Sequence, residues 1–161
     1  MTNLESMTLE HYTAEPLVLD RTRVYEQRVH FKPRGFWVSV KGEDDWPTWC
    51  REENFAWSRL EVCQEVKVSE TANILALGSV PEIVAFHAMY HAPLMPDSRS
   101  RFSEYIDWER VTKDYDGIII APYQWSIRMR DDLFWYYTWD VASGCIWNLN
   151  AIESVTVTVT A

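Results

Sequence analysis

The chemical group that stands out in the chain is a carboxylate set among aromatic rings. Asp140 lies in WYYTWDVASGCIW, with Trp135, Tyr136, Tyr137, Trp139 and Trp147 close by in sequence. Charge in apolar surroundings is costly unless it is paired, so Asp140 needs either a structural hydrogen bond to a backbone turn or a part in chemistry. His87 and His91 stand at i and i+4 of an expected helix, a spacing that puts both imidazoles on one face and within reach of a divalent ion. Ala88, Met89 and Tyr90 between them supply no base, and two ligands leave a tetrahedral site half filled. The pair therefore reads as a helix face or helix end, where a cationic His is favourable, and no metal is expected. Cys50, Cys63 and Cys145 are odd in number and contain no C-x-x-C, which predicts reduced, packed thiols rather than a disulfide frame or a zinc site. The acidic runs Glu43, Asp44, Asp45 and Asp131, Asp132 read as solvated turns.

Phosphate-loop, dinucleotide-fold, hydrolase-elbow and zincin motifs are all missing, and five glycines leave little material for such loops. A chain of 161 residues with 47% apolar and 24% charged residues has the composition of one ordinary globular domain. Aromatics reach 14%, including nine tryptophans, a supply of flat surface for a core and for flat-ring ligands. The net charge of -9 repels phosphate backbones and speaks against nonspecific nucleic-acid binding. No cationic leader or membrane-length apolar run is evident, so a cytoplasmic protein without a membrane partner is expected.

These residues must be positioned by an α+β fold: a single compact domain over 16–161, with a mixed or mainly antiparallel sheet and a few short helices, preceded by a flexible arm over 1–15. LVLDRTRVYEQRVHF reads as one or two half-buried strands, and KPRG as a turn. In GFWVSV, Phe36, Val38 and Val40 alternate with Trp37 and Ser39, so the last two share one face, which is expected to line a pocket. Trp46, Trp49, Glu53 and Trp57 recur at three and four residues, predicting a helix from about Pro47 with Asp45 as its N-cap. LEVCQEVKVSETANILALG predicts two strands, VPEIVAFHAMYH a helix opened by Ser79, and PLMPDSRSRFSEYID a long polar loop. Ile118 to Ile120 predicts a strand buried on both faces, and SVTVTVTA a closing strand.

Four of these segments, LDRTRVYEQ, KPRGFWVS, WERVTKDYDGIII and CIWNLNAIESVTV, occur in an order that resembles the ADP-ribosyltransferase superfamily. The resemblance covers the chain from about Asp20 onwards and implies that fold, with NAD as substrate and a protein or nucleic acid as target. Residue by residue it implies that Arg23, or less favourably Arg21, holds the NAD phosphate or ribose, that Ser39 braces the nicotinamide pocket with Trp37 beside it, and that Trp46 or Trp49 stacks on a ring. The family's Glu-x-Glu is missing, and Asp140 or Ser143 stands nearest that place. On this reading Arg23, Ser39 and Asp140 converge on one nucleotide. Two other functions fit the composition: a non-catalytic nucleotide-binding module of the same fold, and an acidic interaction protein that presents carboxylates to a nucleic-acid-binding partner.

Overall fold

Strand pairing decides where everything else in the molecule lies. The computed structural model describes residues 3–94 and 104–158. In chain order the elements are Leu9–Thr13 (β1), Val29–His30 (β2), Phe36–Val40 (β3), Trp46–Glu52 (α1), Val62–Val68 (β4), Ile74–Leu77 (β5) and Val80–Tyr90 (α2). They continue with His91–Pro93 (β6), Glu104–Asp107 (β7), Trp108–Asp114 (α3), Gly117–Ile120 (β8), Phe134–Tyr137 (α4), Ser143–Ile146 (β9) and Ile152–Val157 (β10). A seven-stranded sheet runs β10-β4-β1-β3-β9-β8-β5, and a smaller one runs β2-β7-β6. Every pairing is antiparallel except β5 with β8, so the fold is mixed α+β with a mainly antiparallel sheet.

β4 and β5 are five positions apart in the sheet yet only residues 69–73 join them. A flat sheet would separate them by about 24 Å at the usual strand spacing, more than the roughly 21 Å that this stretch can span fully extended. The sheet therefore curls. Ser69 donates its N–H to Ala151, and Asn73 donates to Asp116, pinning the connection across the curl.

The core is aromatic. Trp108, Trp135, Trp139 and Tyr136 are fully buried, and Trp108 meets Phe86, Trp135, Trp139 and Trp147 at ring-centroid distances of 5.8 to 6.5 Å. β8 and β9 are buried along their whole length, as the uninterrupted Ile run requires. Gly144 is where they touch most closely: a Cβ there would lie 2.5 Å from the Ile118 carbonyl oxygen and from Ile119 Cγ1.

Local signals place the helices. Asp45 accepts the Thr48 N–H at 3.0 Å and caps α1, whose first turn holds Pro47, as expected. Ser79 caps α2 and Glu82 reaches back to the Gly78 N–H at 2.7 Å, a capping box shifted by one residue.

Three expectations are corrected. The expected arm over 1–15 is not loose where it is described, from residue 3 on: Leu9–Thr13 is an interior strand, paired with β3 on one side and β4 on the other. Gln64 extends the anchorage, donating to the Thr13 hydroxyl at 2.9 Å and accepting the Leu17 N–H at 2.7 Å. Within 17–31 only Val29–His30 is a strand, because this stretch crosses the surface, with Val18 and Val24 exposed. Of the polar loop over 93–107, Glu104–Asp107 is a strand that pairs with both β2 and β6, while 95–103 lie outside the described residues. The closing strand starts at Ile152, and its expected last residues, 159–161, also lie outside.

Removing residues 1–15 is expected to abolish cooperative folding, because it takes a central strand out of the sheet and leaves β3 paired only with β9 and β4 only with β10, each with one open edge. Thermal melts of full-length and truncated chains check this; a truncated protein melting cooperatively within a few degrees of full length contradicts it.

Candidate functional site

Alternation along β1, β3 and β9 sorts their side chains to two faces. Leu9, Phe36, Val38 and Val40 point into the core. On the other face Glu10 lies opposite Ser39, and Ser39 opposite Ser143, so three polar side chains form a row across three neighbouring strands. Directly opposed residues in antiparallel pairs have Cβ atoms about 4.5 to 5.5 Å apart. Their residues are 6%, 5% and 7% exposed, three of the five buried polar residues among those described. Burying polar groups together costs stability unless they are satisfied or used.

The row lies beneath a cavity of about 390 Å³, within the usual range for small-molecule sites. Trp37, Trp46 and Trp139 supply its aromatic walls, and Lys32, Arg59, Tyr12 and Asp140 are also at its boundary. Trp37 packs edge to face on Trp139 at 5.0 Å. The indole N–H of Trp139 is buried without a hydrogen-bond acceptor among the described residues, the kind of group whose missing partner a bound molecule can supply. Lys32 Nζ lies 5.6 Å from the Trp37 ring centroid, a cation over a π face. Burial pulls its pKa below the ordinary lysine value, while the Asp140 carboxylate pushes the other way.

The hydroxyls and carboxylates are partly engaged. The Ser39 hydroxyl accepts the Trp46 N–H at 2.9 Å, tying α1 to β3, and the Ser143 hydroxyl donates to the Val141 carbonyl at 3.0 Å. The Tyr12 hydroxyl donates to Glu10, and burial together with this bond raises its pKa well above the ordinary tyrosine range. Lys41 Nζ approaches the other Glu10 oxygen at 3.7 Å. Asp140 is ion-paired with Arg128 at 3.2 Å. Arg128 also donates to the Tyr123 hydroxyl at 2.8 Å, and its guanidinium lies 5.2 to 5.9 Å from the rings of Tyr137, Trp125 and Tyr123. Asp140 thus has both of the features open to it, a structural partner and a place at the cavity.

Of the residues singled out in the sequence, Trp37, Ser39, Trp46, Asp140 and Ser143 line this one cavity; Arg23 and Trp49 are not among its lining residues. Arg23 is exposed and off any strand, with its guanidinium 4.8 Å over Tyr25. Arg21 is committed elsewhere, donating to the carbonyls of Leu149, Ile152 and Glu153 at the start of the β10 edge. The first strand at the cavity is β1, which carries Glu10 and Tyr12 and no arginine. Trp49 acts through its neighbour, stacking on Trp46 at 5.2 Å, with Phe55 edge-on to both rings. Glu10, Tyr12, Lys32, Arg59 and Trp139 escaped the sequence reading; the short alternation in LEHYT was the one signal for the first two. His11, which alternates with Glu10 and Tyr12 on β1, also borders the cavity; its ring stacks on Phe36 at 4.2 Å and its Nδ1 lies 2.6 Å from the Trp37 carbonyl oxygen. No family model, curated protein or solved structure matches this chain.

A second cluster forms where Glu104 joins His87 and His91. The Trp135 indole N–H, which can only donate, points at His87 Nδ1 at 3.1 Å, so the proton of the neutral ring sits on Nε2, 3.8 Å from Glu104. The two imidazoles stack at 4.9 Å and 21°, with the His87 lone pair taken by the Trp135 N–H and the His91 Nδ1 2.9 Å from the His87 carbonyl oxygen. Burial, aided by His91, lowers the His87 pKa against the opposing pull of Glu104 and Asp132.

A base whose folded pKa lies below its unfolded value stabilises the fold above the unfolded value and loses that contribution as pH falls. The melting temperature is therefore expected to decline on acidification below about 6.5, less steeply in His87→Gln, and to ignore chelator. Stoichiometric zinc, or a melt that drops with chelator, contradicts this.

Proposed function

We propose that this chain is an ADP-ribosyltransferase-like protein that takes NAD into the cleft over β1, β3 and β9 and transfers ADP-ribose to a macromolecular target. The observation that carries the reading is the buried row Glu10, Ser39, Ser143 beneath three tryptophan walls. NAD presents matching chemistry: flat rings for aromatic faces, ribose hydroxyls for carboxylates, and a pyrophosphate for cations. Trp37 and Trp139 flank the nicotinamide, Lys32 and Arg59 face the phosphates, and the second ring reaches Trp46 and its Trp49 support.

Transfer breaks the bond between ribose C1 and the nicotinamide nitrogen, whose electron pair leaves with neutral nicotinamide. The target heteroatom bonds to C1 and gives up a proton. The chain's share is to hold the ribose, exclude water with the tryptophans, and place a carboxylate near the developing positive charge. Without a Glu-x-Glu segment, the carboxylates at the cleft are Glu10 and Asp140.

NAD is expected to quench tryptophan fluorescence saturably and to release nicotinamide when the target is present. Trp37→Ala should weaken binding by about 1 to 3 kcal/mol, the usual worth of a base stacked on an aromatic ring. Lys32→Ala should cost roughly 1.5 to 3 kcal/mol, as expected for a charge-assisted contact. Saturable binding with no nicotinamide released, by wild type in cell extract, would assign the non-catalytic binding module. No binding of NAD or ADP-ribose would overturn both and leave the acidic interaction protein, which rests on the net charge of -9.

A further inference from the structure

The hydrogen bond from Trp135 to His87 exists in only one protonation state of the histidine. Trp135 is fully buried, and its indole N–H, which can only donate, ends on His87 Nδ1 at 3.1 Å. A doubly protonated imidazole has no lone pair, so charging His87 sets an N–H against an N–H where no water can take over. Trp135 is held between Phe86, Trp108 and Trp139, so the conflict falls on the histidine.

The charged ring has a second partner close by. Glu104 Oε2, 3.8 Å from His87 Nε2, is buried with no hydrogen-bond partner among the described residues. The other charged groups acting on the ring are His91, stacked on it, and Arg130 and Asp132 ahead of α4. Asp132 favours the charged ring as Glu104 does, while His91 and Arg130 oppose it; Arg130 and Asp132 pair with each other at 2.6 Å, which mutes both. His87 thus has two arrangements, neutral and bonded to Trp135, or charged and drawn to Glu104.

Trp135 leads directly to the cleft. Its carbonyl accepts the Thr138 hydroxyl at 2.8 Å, and the Trp139 N–H bonds to the Tyr136 carbonyl at 2.9 Å, so the last turn of α4 sets Trp139 and Asp140. Trp135 meets Trp139 edge to face at 6.4 Å, and Trp139 stands against Trp37 in the wall at 5.0 Å. Resting on the reading of the cleft as an NAD site, we infer that His87, which does not line that cleft, is a positioning residue for it: the neutral ring holds Trp135 and hence the Trp139 wall in the binding arrangement, and protonation releases both and weakens NAD binding. NAD affinity is then full above the ordinary histidine value and falls as pH drops through the lowered folded one. Coupling is reciprocal, so bound NAD keeps His87 neutral to lower pH.

Two measurements test this between about pH 7.5 and about pH 5: NMR of the His87 ring and the Trp37 and Trp139 indole N–H groups without ligand, and NAD affinity by fluorescence titration. They are made on wild type, His91→Gln, His87→Gln, whose amide accepts the indole N–H without titrating, and Trp135→Phe, which keeps an aromatic ring but loses the N–H. Wild type and His91→Gln are expected to lose NAD affinity at least fivefold across the range, with the Trp139 and Trp37 indoles shifting at the midpoint of the His87 ring. His87→Gln and Trp135→Phe should lose no more than twofold. An undiminished loss in folded His87→Gln or Trp135→Phe overturns the proposal while the NAD site stands. So does a His87 ring that stays neutral throughout, or one that titrates with Trp139 unmoved, and these wild-type resonances decide if neither variant melts cooperatively. Coupled shifts in a wild type that binds no NAD at any pH overturn the NAD reading and leave His87 coupled to the wall.

Discussion

The antiparallel register that sets Glu10 against Ser39, and Ser39 against Ser143, is the constraint from which the rest follows. Side chains along a strand alternate with a period of two, so a slip of one residue in β1 would send Glu10 and Tyr12 into the core and bring Leu9 to the cleft. The register holds because the opposite face is apolar at Leu9, Phe36, Val38 and Val40, and because Gln64, fully buried on β4, satisfies groups on β1 and just beyond it. One face of the same three strands thus packs the core while the other carries polar chemistry.

A floor of buried polar groups is tolerable because its surroundings are stiff. Trp139 belongs both to the core, against Trp108 and Trp135, and to the cleft wall, against Trp37, so the site rests on the most densely aromatic part of the molecule. Rings with two side-chain torsions lose little freedom on packing and fix geometry well. The Ser39 hydroxyl fastens α1, and with it Trp46, to the same floor. Charge follows a similar economy: Arg128 joins Asp140 to three aromatic rings, so the wall beside Lys32 is ordered before any ligand arrives.

Much of this was legible in the residues where local chemistry settles the outcome. Period two in FWVSV separated core from cleft, Asp45 and Ser79 announced their helices, and the Ile run announced a strand buried on both sides. Five site residues came from such local signals or from the resemblance and lie on one cavity. What stayed hidden depended on pairing between distant segments. LEHYT is too short and too polar to declare itself a strand, yet its place between β3 and β4 stabilises it through the backbone on both sides. The arginines of LDRTR attracted attention by type, but with no neighbouring strand to pair, that stretch crosses the surface and Arg23 misses the cleft. Glu104 joined the histidines only because β7 pairs with β6.

The most direct test of the account is to follow the nine indole N–H resonances of the ¹⁵N-labelled protein during titration with NAD. Trp37, Trp46 and Trp139 line the cleft, Trp108 and Trp135 are sealed in the core, and Trp57 and Trp125 stand on the surface. Saturable shifts are predicted at the first three, with Trp108, Trp135, Trp57 and Trp125 unmoved. Shifts confined to Trp57 and Trp125, or no shifts at saturating NAD, would contradict a nucleotide site over the polar row.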